Sequence, residues 1–205
     1  MPKTTLSPPF HIRISTMPNI LTSLVESQAQ KYPAERTAYA VFDADRAVST
    51  PTSWSSMAQL TKAVAAAFEI LDIRETDRIA LFSANRPELL IADFAAYANR
   101  AVPVAIYATS SPDQVEYIVG DCEAQLIITG DQSQYEIARQ AMLSGSPLRQ
   151  IVTCDPEVKR HPDDTSTMTF DDLVALGLSA GTDCLAEVSA RSARALPSDI
   201  ATIIF

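Results

Sequence analysis

The hexapeptide Ser83-Ala84-Asn85-Arg86-Pro87-Glu88 gathers a hydroxyl, an amide, a guanidinium and a carboxylate between two apolar runs. A turn of this kind, after a buried strand and before a helix, is where an open parallel sheet puts its ligand contacts. One reading makes Asn85 and Arg86 contacts to an anion or a substrate. The other makes Ser83 and Asn85 helix caps and Arg86 a surface ion-pair partner. No anion-binding loop lies nearby in sequence, so the second reading is preferred.

Other reactive residue types are present without the spacing that chemistry requires. Asp163–Asp164 falls in a polar stretch, and Asp171–Asp172 falls in the first turn of an expected helix, where acids complement the helix dipole. Both pairs read as structural. The five glycines, Gly120, Gly130, Gly145, Gly177 and Gly181, form neither G-x-G-x-x-G nor G-x-x-x-x-G-K-[ST]. No backbone cradle for phosphate can be read from them. His11 and His161 lie in polar segments away from any cysteine pair, and G-x-S-x-G is absent, so a Ser-His-acid set finds no support. Cys122, Cys154 and Cys184 are widely spaced with no C-x-x-C. They read as small core residues in a reducing cytoplasm, not as zinc ligands.

Composition narrows the function classes further. The chain has 205 residues and is 47% hydrophobic, with only 7% aromatics. That length and that aliphatic content suit helices packed on a sheet. Net charge is −9, from 25 acidic against 16 basic residues. Without a basic stripe, nucleic acid is not an expected partner. No apolar run is long enough for a transmembrane helix. Residues 1–18, "MPKTTLSPPFHIRISTMP", lack the apolar stretch of a secretory signal. They read as a loose N-terminal arm, and the expected location is cytoplasmic.

The elements that must position any site follow from periodicity. Residues 19–32 read as an amphipathic helix capped by Asn19 and ended by Pro33. Residues 37–42 and 48–54 read as a strand and its return around a turn at 43–47, with Pro51 marking an edge or a bulge. Residues 55–71 carry Met57, Leu60, Val64, Phe68 and Leu71 at helical spacing. Strands are expected at 77–83, 101–107, 124–130 and 148–154, with helices between them. Ser111, Pro112 and Gln114 spell a capping box that opens one of those helices. Val115, Ile118 and Cys122 then form its inward face. Asp131 with Gln134 opens the next helix, which runs to about Met142. Residues 155–168 read as an exposed loop, 169–177 as a short helix, 178–197 as irregular or partly helical, and 199–205 as a buried terminal strand. Such alternation implies an α/β fold, a mainly parallel sheet with helices on both faces.

The run "SWSSMAQLTKAVAAAFEILDIRETDRIALFSANRPELLIADFAAYANRAVPVAIYATSSPDQVEYIVGDCEAQLIITG" resembles the first large-domain segment of the AMP-forming acyl-CoA synthetases. Within that superfamily, "SANRPE" and "VPVAIYATSSPDQVEYIVGDCEAQLIITG" look most like the long-chain fatty acid CoA ligases. The resemblance covers residues 19–205, so the organisation it implies is an arm (1–18) and the N-terminal part of the large domain (19–205). Where the family commonly has turn glycines, this chain has Asp72, Thr76 and Arg100. Such replacements imply altered or more strained turns. In the family, a segment like "SDIATIIF" leads into a Ser/Thr/Gly-rich loop that wraps the ATP phosphates. The resemblance therefore implies ATP, Mg²⁺, CoA and a fatty acid for the complete enzyme. It places no catalytic, cofactor-binding or metal-binding residue within these 205 residues, which are expected to be inactive alone. Membrane-surface association and dimer formation stay open. A non-enzymatic α/β interaction module, or half of a split enzyme, is the alternative. A response-regulator-like or flavodoxin-like domain lacks the acidic cluster or phosphate loop it would need.

Overall fold

The computed structural model describes residues 20–43 and 46–205. The expected arm with His11, the cap at Asn19 and part of the 43–47 turn lie outside the described residues. The first helix, α1, is Ile20–Lys31. Strands β1 (Thr37–Asp43) and β2 (Val48–Ser53) form a separate antiparallel ribbon, with Ala40 opposite Pro51. Then come α2 (Trp54–Ile70), β3 (Arg78–Phe82), α3 (Pro87–Ala98), β4 (Val102–Ile106), α4 (Pro112–Asp121), β5 (Ala124–Thr129), α5 (Gln132–Leu143) and β6 (Gln150–Thr153). The chain continues through β7 (Thr167–Thr169), α6 (Phe170–Leu178), α7 (Thr182–Ala193) and β8 (Ile203–Ile204).

The main sheet has six strands in the order β7-β6-β5-β3-β4-β8, and each neighbouring pair is parallel. The expected neighbours β5, β3 and β4 therefore lie side by side. Strand residues alternate between two cores. Ile79, Leu81, Leu126, Ile128 and Val152 pack under α2, α3, α6 and α7. Ala80, Phe82, Val104, Ile106, Ile127 and Ile151 pack under α4 and α5. Burial on both faces explains why these strands read as continuous apolar runs.

Local signals hold where their partners are close in sequence. The Ser111 hydroxyl accepts from the Gln114 amide at 3.3 Å while the Gln114 side chain accepts from the Ser111 amide at 2.9 Å. Val115, Ile118 and Cys122 are all buried beneath that helix. The three positions at which strained turns are expected have a left-handed backbone: Asp72 at φ 61°, Thr76 at φ 68° and Arg100 at φ 53°. Each turn accepts the strain of a Cβ in that conformation.

Two expectations need correction. The 155–168 segment is not simply an exposed loop, because Thr167 is buried and starts β7, which pairs with β6. Asp164 anchors it by accepting from the Tyr135 hydroxyl (2.7 Å), the Thr167 hydroxyl (2.6 Å) and the Ser166 amide (2.9 Å). The 178–197 segment is partly helical, as expected, with α7 supplying 12 residues. Its Arg191 is buried and donates to the Asn99 amide oxygen (3.1 Å), the Ile73 carbonyl (3.2 Å) and the Glu69 carboxylate (2.5 Å). The terminal strand is not a buried core strand. Only Ile203 and Ile204 pair with β4, and Ile204 is 74% exposed. Asp199 is drawn into a turn by the Leu196 amide, which shortens the strand, and among the described residues β8 pairs only with β4.

Candidate functional site

The chain passes from β3 to β4 on one side of the sheet and then crosses back to β5 on the other side of β3. The β3–β5 boundary is thus a topological switch point, where the loops leaving the two strands diverge and an α/β sheet offers its crevice. The walls of that crevice are residues 83–86 after β3 and Gly130–Asp131 after β5.

Side chains of the protein itself close it. Arg86 Nη1 donates to the Gly130 carbonyl at 2.7 Å, and Nε and Nη2 donate to the two Glu88 oxygens at 3.1 and 3.2 Å. From the other side, the Gly130 amide donates to Gln134 Oε1 at 2.8 Å. Gln134 Nε2 in turn donates to the Ala108 carbonyl at 3.2 Å, which draws in the loop after β4. Gly130 is glycine for reasons of space, since a Cβ there would lie 2.1 Å from Ser83 Oγ and 2.7 Å from Gln134 Oε1. The three strand ends are stapled through one residue, Gly130.

This outcome favours the structural reading of the hexapeptide, with one change. Arg86 is an ion-pair partner, but a half-buried one that also grips another loop. Ser83 and Asn85 do not cap α3: the N-cap residue is Arg86, which makes no side-chain cap bond, and Pro87 follows at the first helical position. Asn85 is exposed. Burial opposes the charge on Arg86, yet the bond to Glu88 and nearby acidic groups leave its pKa raised. Burial likewise opposes the charge on Asp131, but the Gln134 amide and the Ser133 hydroxyl bond to it and hold its carboxyl below the usual range. Asp131 thereby caps α5. Burial pushes the Cys154 thiol up to about 12, so at neutral pH it is a protonated core residue and not a nucleophile.

The remaining candidates are dispersed. Asp163 pairs with Arg139 at 2.8 Å while Asp164 turns inward, so that pair is split. Asp172 completes a capping box with Thr169 at the start of α6. His161 is exposed and its Nε2 meets Glu136 at 2.9 Å. Cys122 is buried and Cys184 is half-buried. Among the described residues no group of three His, Cys, Asp or Glu side chains could hold a metal ion. These strand ends do not fit a polyphosphate with its metal: the guanidinium there is already engaged by Glu88, and Asp131 and Asp155 add negative charge beside it. Reading the hexapeptide alone missed Gln134, whose capping signal with Asp131 was legible but whose second bond, to Ala108, was not.

A family profile described as AMP-binding enzyme matches residues 25–205. A long-chain-fatty-acid–CoA ligase, FadD15, of Mycobacterium tuberculosis is 30% identical over 156 residues, 76% of this chain and 24% of that protein. The fatty acyl-CoA synthetase A of Dictyostelium discoideum is 35% identical over 86 residues, 42% of this chain and 12% of its own length. Among solved structures, the coronafacic acid ligase from Pectobacterium brasiliense superposes with a TM-score of 0.73 at 17% identity, over 90% of this chain and 33% of its own. A long-chain-fatty-acid-CoA ligase (FadD1) from Archaeoglobus fulgidus gives 0.68 at 16% identity, over 92% and 34%. The chain spans no more than about a quarter of these curated relatives and about a third of these solved chains. By the extent of the profile match, nearly the whole of the described chain, this chain belongs to the AMP-binding enzyme family.

Proposed function

We propose that these residues form the N-terminal part of the large domain of a long-chain fatty acid CoA ligase. The complete enzyme would join a fatty acid to CoA with ATP, releasing AMP and pyrophosphate. The observation that carries this reading is the 30% identity to a long-chain-fatty-acid–CoA ligase across 156 residues. The family match over residues 25–205 takes in the parallel sheet, whose carboxyl ends would face the chemistry.

In this reading the present residues are scaffold. Arg86, Gly130 and Gln134 hold three strand ends in a fixed relation, and β8 runs parallel to β4 so that its carboxyl end reaches the same side of the sheet. Fixing the frame in advance is what lets donors act on charge that develops in the transition state without reorganising. The cradle for the ATP phosphates, its Mg²⁺ and the CoA contacts would come from other polypeptide, in an enzyme working in the cytoplasm. A second reading, a docking module or half of a split enzyme, starts from the apolar side chains of Tyr117, Ile204 and Phe205, which are 63%, 74% and 44% exposed.

Fatty-acid-dependent exchange of labelled pyrophosphate into ATP tests both. The 205-residue chain alone should give no more than a heat-denatured control. A fusion to the C-terminal remainder of a long-chain ligase should restore exchange with palmitate but not with acetate. Exchange on simply mixing the two parts would favour the split enzyme. Saturable exchange by the chain alone would overturn the scaffold reading.

A further inference from the structure

Arg100 occupies a position where its conformation argues against it. Its φ of 53° lies in the left-handed region that favours glycine, and its side chain is long and charged. The side chain shows what is gained. Nε and Nη2 make a two-pronged contact to the Asp199 carboxylate at 2.8 and 3.0 Å, and Nη1 reaches Glu75 at 2.6 Å. The guanidinium side chain is only 15% exposed. Charge-assisted, two-pronged contacts of this kind combine strength with a defined orientation.

Asp199 lies just before β8. Few other contacts hold that strand: Ile203 packs on the core under α4 and α5, and the Phe205 ring meets Tyr117 edge-on at 6.2 Å. Its pairing with β4 consists of Val104 with Ile203 and Ala105 with Ile204, supplemented by the Thr202 hydroxyl on the Pro103 carbonyl at 2.9 Å. Two pairs define register only weakly, because Ile203 alone packs on the core under α4 and α5 and is only partly buried, while Ile204 is exposed. Arg100 sits two residues before β4, at the start of the strand that β8 must match. A contact from there to Asp199 measures out the same distance on both strands.

We propose that Arg100 is a positioning residue: its pair with Asp199 sets the register of β8 beside β4 and so places the carboxyl end of β8 at the mouth of the sheet. Its value for catalysis rests on the ligase reading, in which the polypeptide after β8 would carry the phosphate cradle. The placement of β8 itself does not depend on that reading.

Amide hydrogen exchange on the 205-residue chain tests it, with R100G, R100K and D199N and a urea titration of each. R100G removes the guanidinium and the backbone strain together. The expected result is exchange at residues 202–205 faster by about ten-fold or more, the scale of a lost charge-assisted bond. Amides of β3 and β5 should be unchanged and the urea midpoint unchanged or higher. A side chain that only stabilised the fold would lower the midpoint and loosen all strands together. R100K should restore part of the protection, D199N should match R100G, and the double variant should be no worse than either single one. Molar salt should speed exchange at residues 202–205 in the parent but not in R100G. Equal protection of residues 202–205 in R100G and the parent would overturn the proposal, as would loosening spread evenly over the sheet. None of these measurements requires adenylation, so the ligase reading can fail while this one stands, and the reverse.

Discussion

Substituting alanine at two glycines should move stability in opposite directions. Gly177 lies in α6 where it crosses α2, and a Cβ added there would sit 1.7 Å from the Ala63 carbonyl oxygen and 2.5 Å from its carbon. Ordinary contact begins near 3.4 Å, so the two helices must part by roughly 1.5 Å. A gap of about 0.5–1 Å already forfeits a quarter to a half of the dispersion attraction of the atoms lining it. The obstacle is backbone, so no rotamer change relieves it. Ala63, Ala66, Ala67 and Phe68, all buried, lie along the α2 segment that would shift. Overpacking of this kind costs about 1–3 kcal/mol and more against a rigid obstacle. The higher helix propensity of alanine returns about 1 kcal/mol. Gly177→Ala should therefore lose about 2 kcal/mol. Gly120 in α4 is exposed with nothing within 4 Å of the added Cβ, so Gly120→Ala should gain about 0.5–1 kcal/mol. Urea unfolding followed by far-UV circular dichroism reads both, with an unchanged slope as the check on cooperativity. A second substitution, Ala63→Gly, should not rescue Gly177→Ala, because the clash is with the carbonyl. Stability of Gly177→Ala at or above that of the parent, or rescue by Ala63→Gly, would refute the close helix crossing.

Two further outcomes follow from strain and burial. Thr76 is β-branched at φ 68°, so Thr76→Gly should raise stability by about 1 kcal/mol, seen as a higher urea midpoint. Asp93 on α3 has its pKa pushed up by burial to about 6, against about 3.9 in an unfolded chain. A raised carboxyl contributes stability that is fully present below about pH 4 and is lost as pH rises through about 6. Asp93→Asn, which stays neutral, should match the parent at pH 4 and exceed it at pH 8 by about 1–2 kcal/mol, once solvent screening of the partly exposed group is allowed for. Equal urea midpoints at pH 8 would show that Asp93 is not desolvated.

The parallel sheet was legible because its causes are local and repeated. Ile79 to Phe82 and Leu126 to Ile128 are apolar at every residue, which only a strand buried on both faces requires. The caps at Ser111 and Asp131 were legible because donor and acceptor lie three residues apart. The need for a left-handed backbone at Asp72, Thr76 and Arg100 was legible only by comparison with a family that has glycine there.

What stayed hidden depended on partners far along the chain. Helix α7 is held by Arg191 on Asn99 and Ile73, the switch-point crevice is filled by Arg86 on Gly130, and β8 is placed by Arg100 on Asp199. A charged residue in a sequence looks solvated until the fold shows which acid or carbonyl lies opposite. The sequence by itself determined the elements, their alternation and hence the parallel sheet, because periodicity and capping act within a few residues. Tertiary structure alone decided that Arg86 and Gln134 tie the strand ends together through Gly130 and that Arg100 reaches Asp199 beside β8. Burial and ion pairing are properties of surfaces that meet only once the chain has folded.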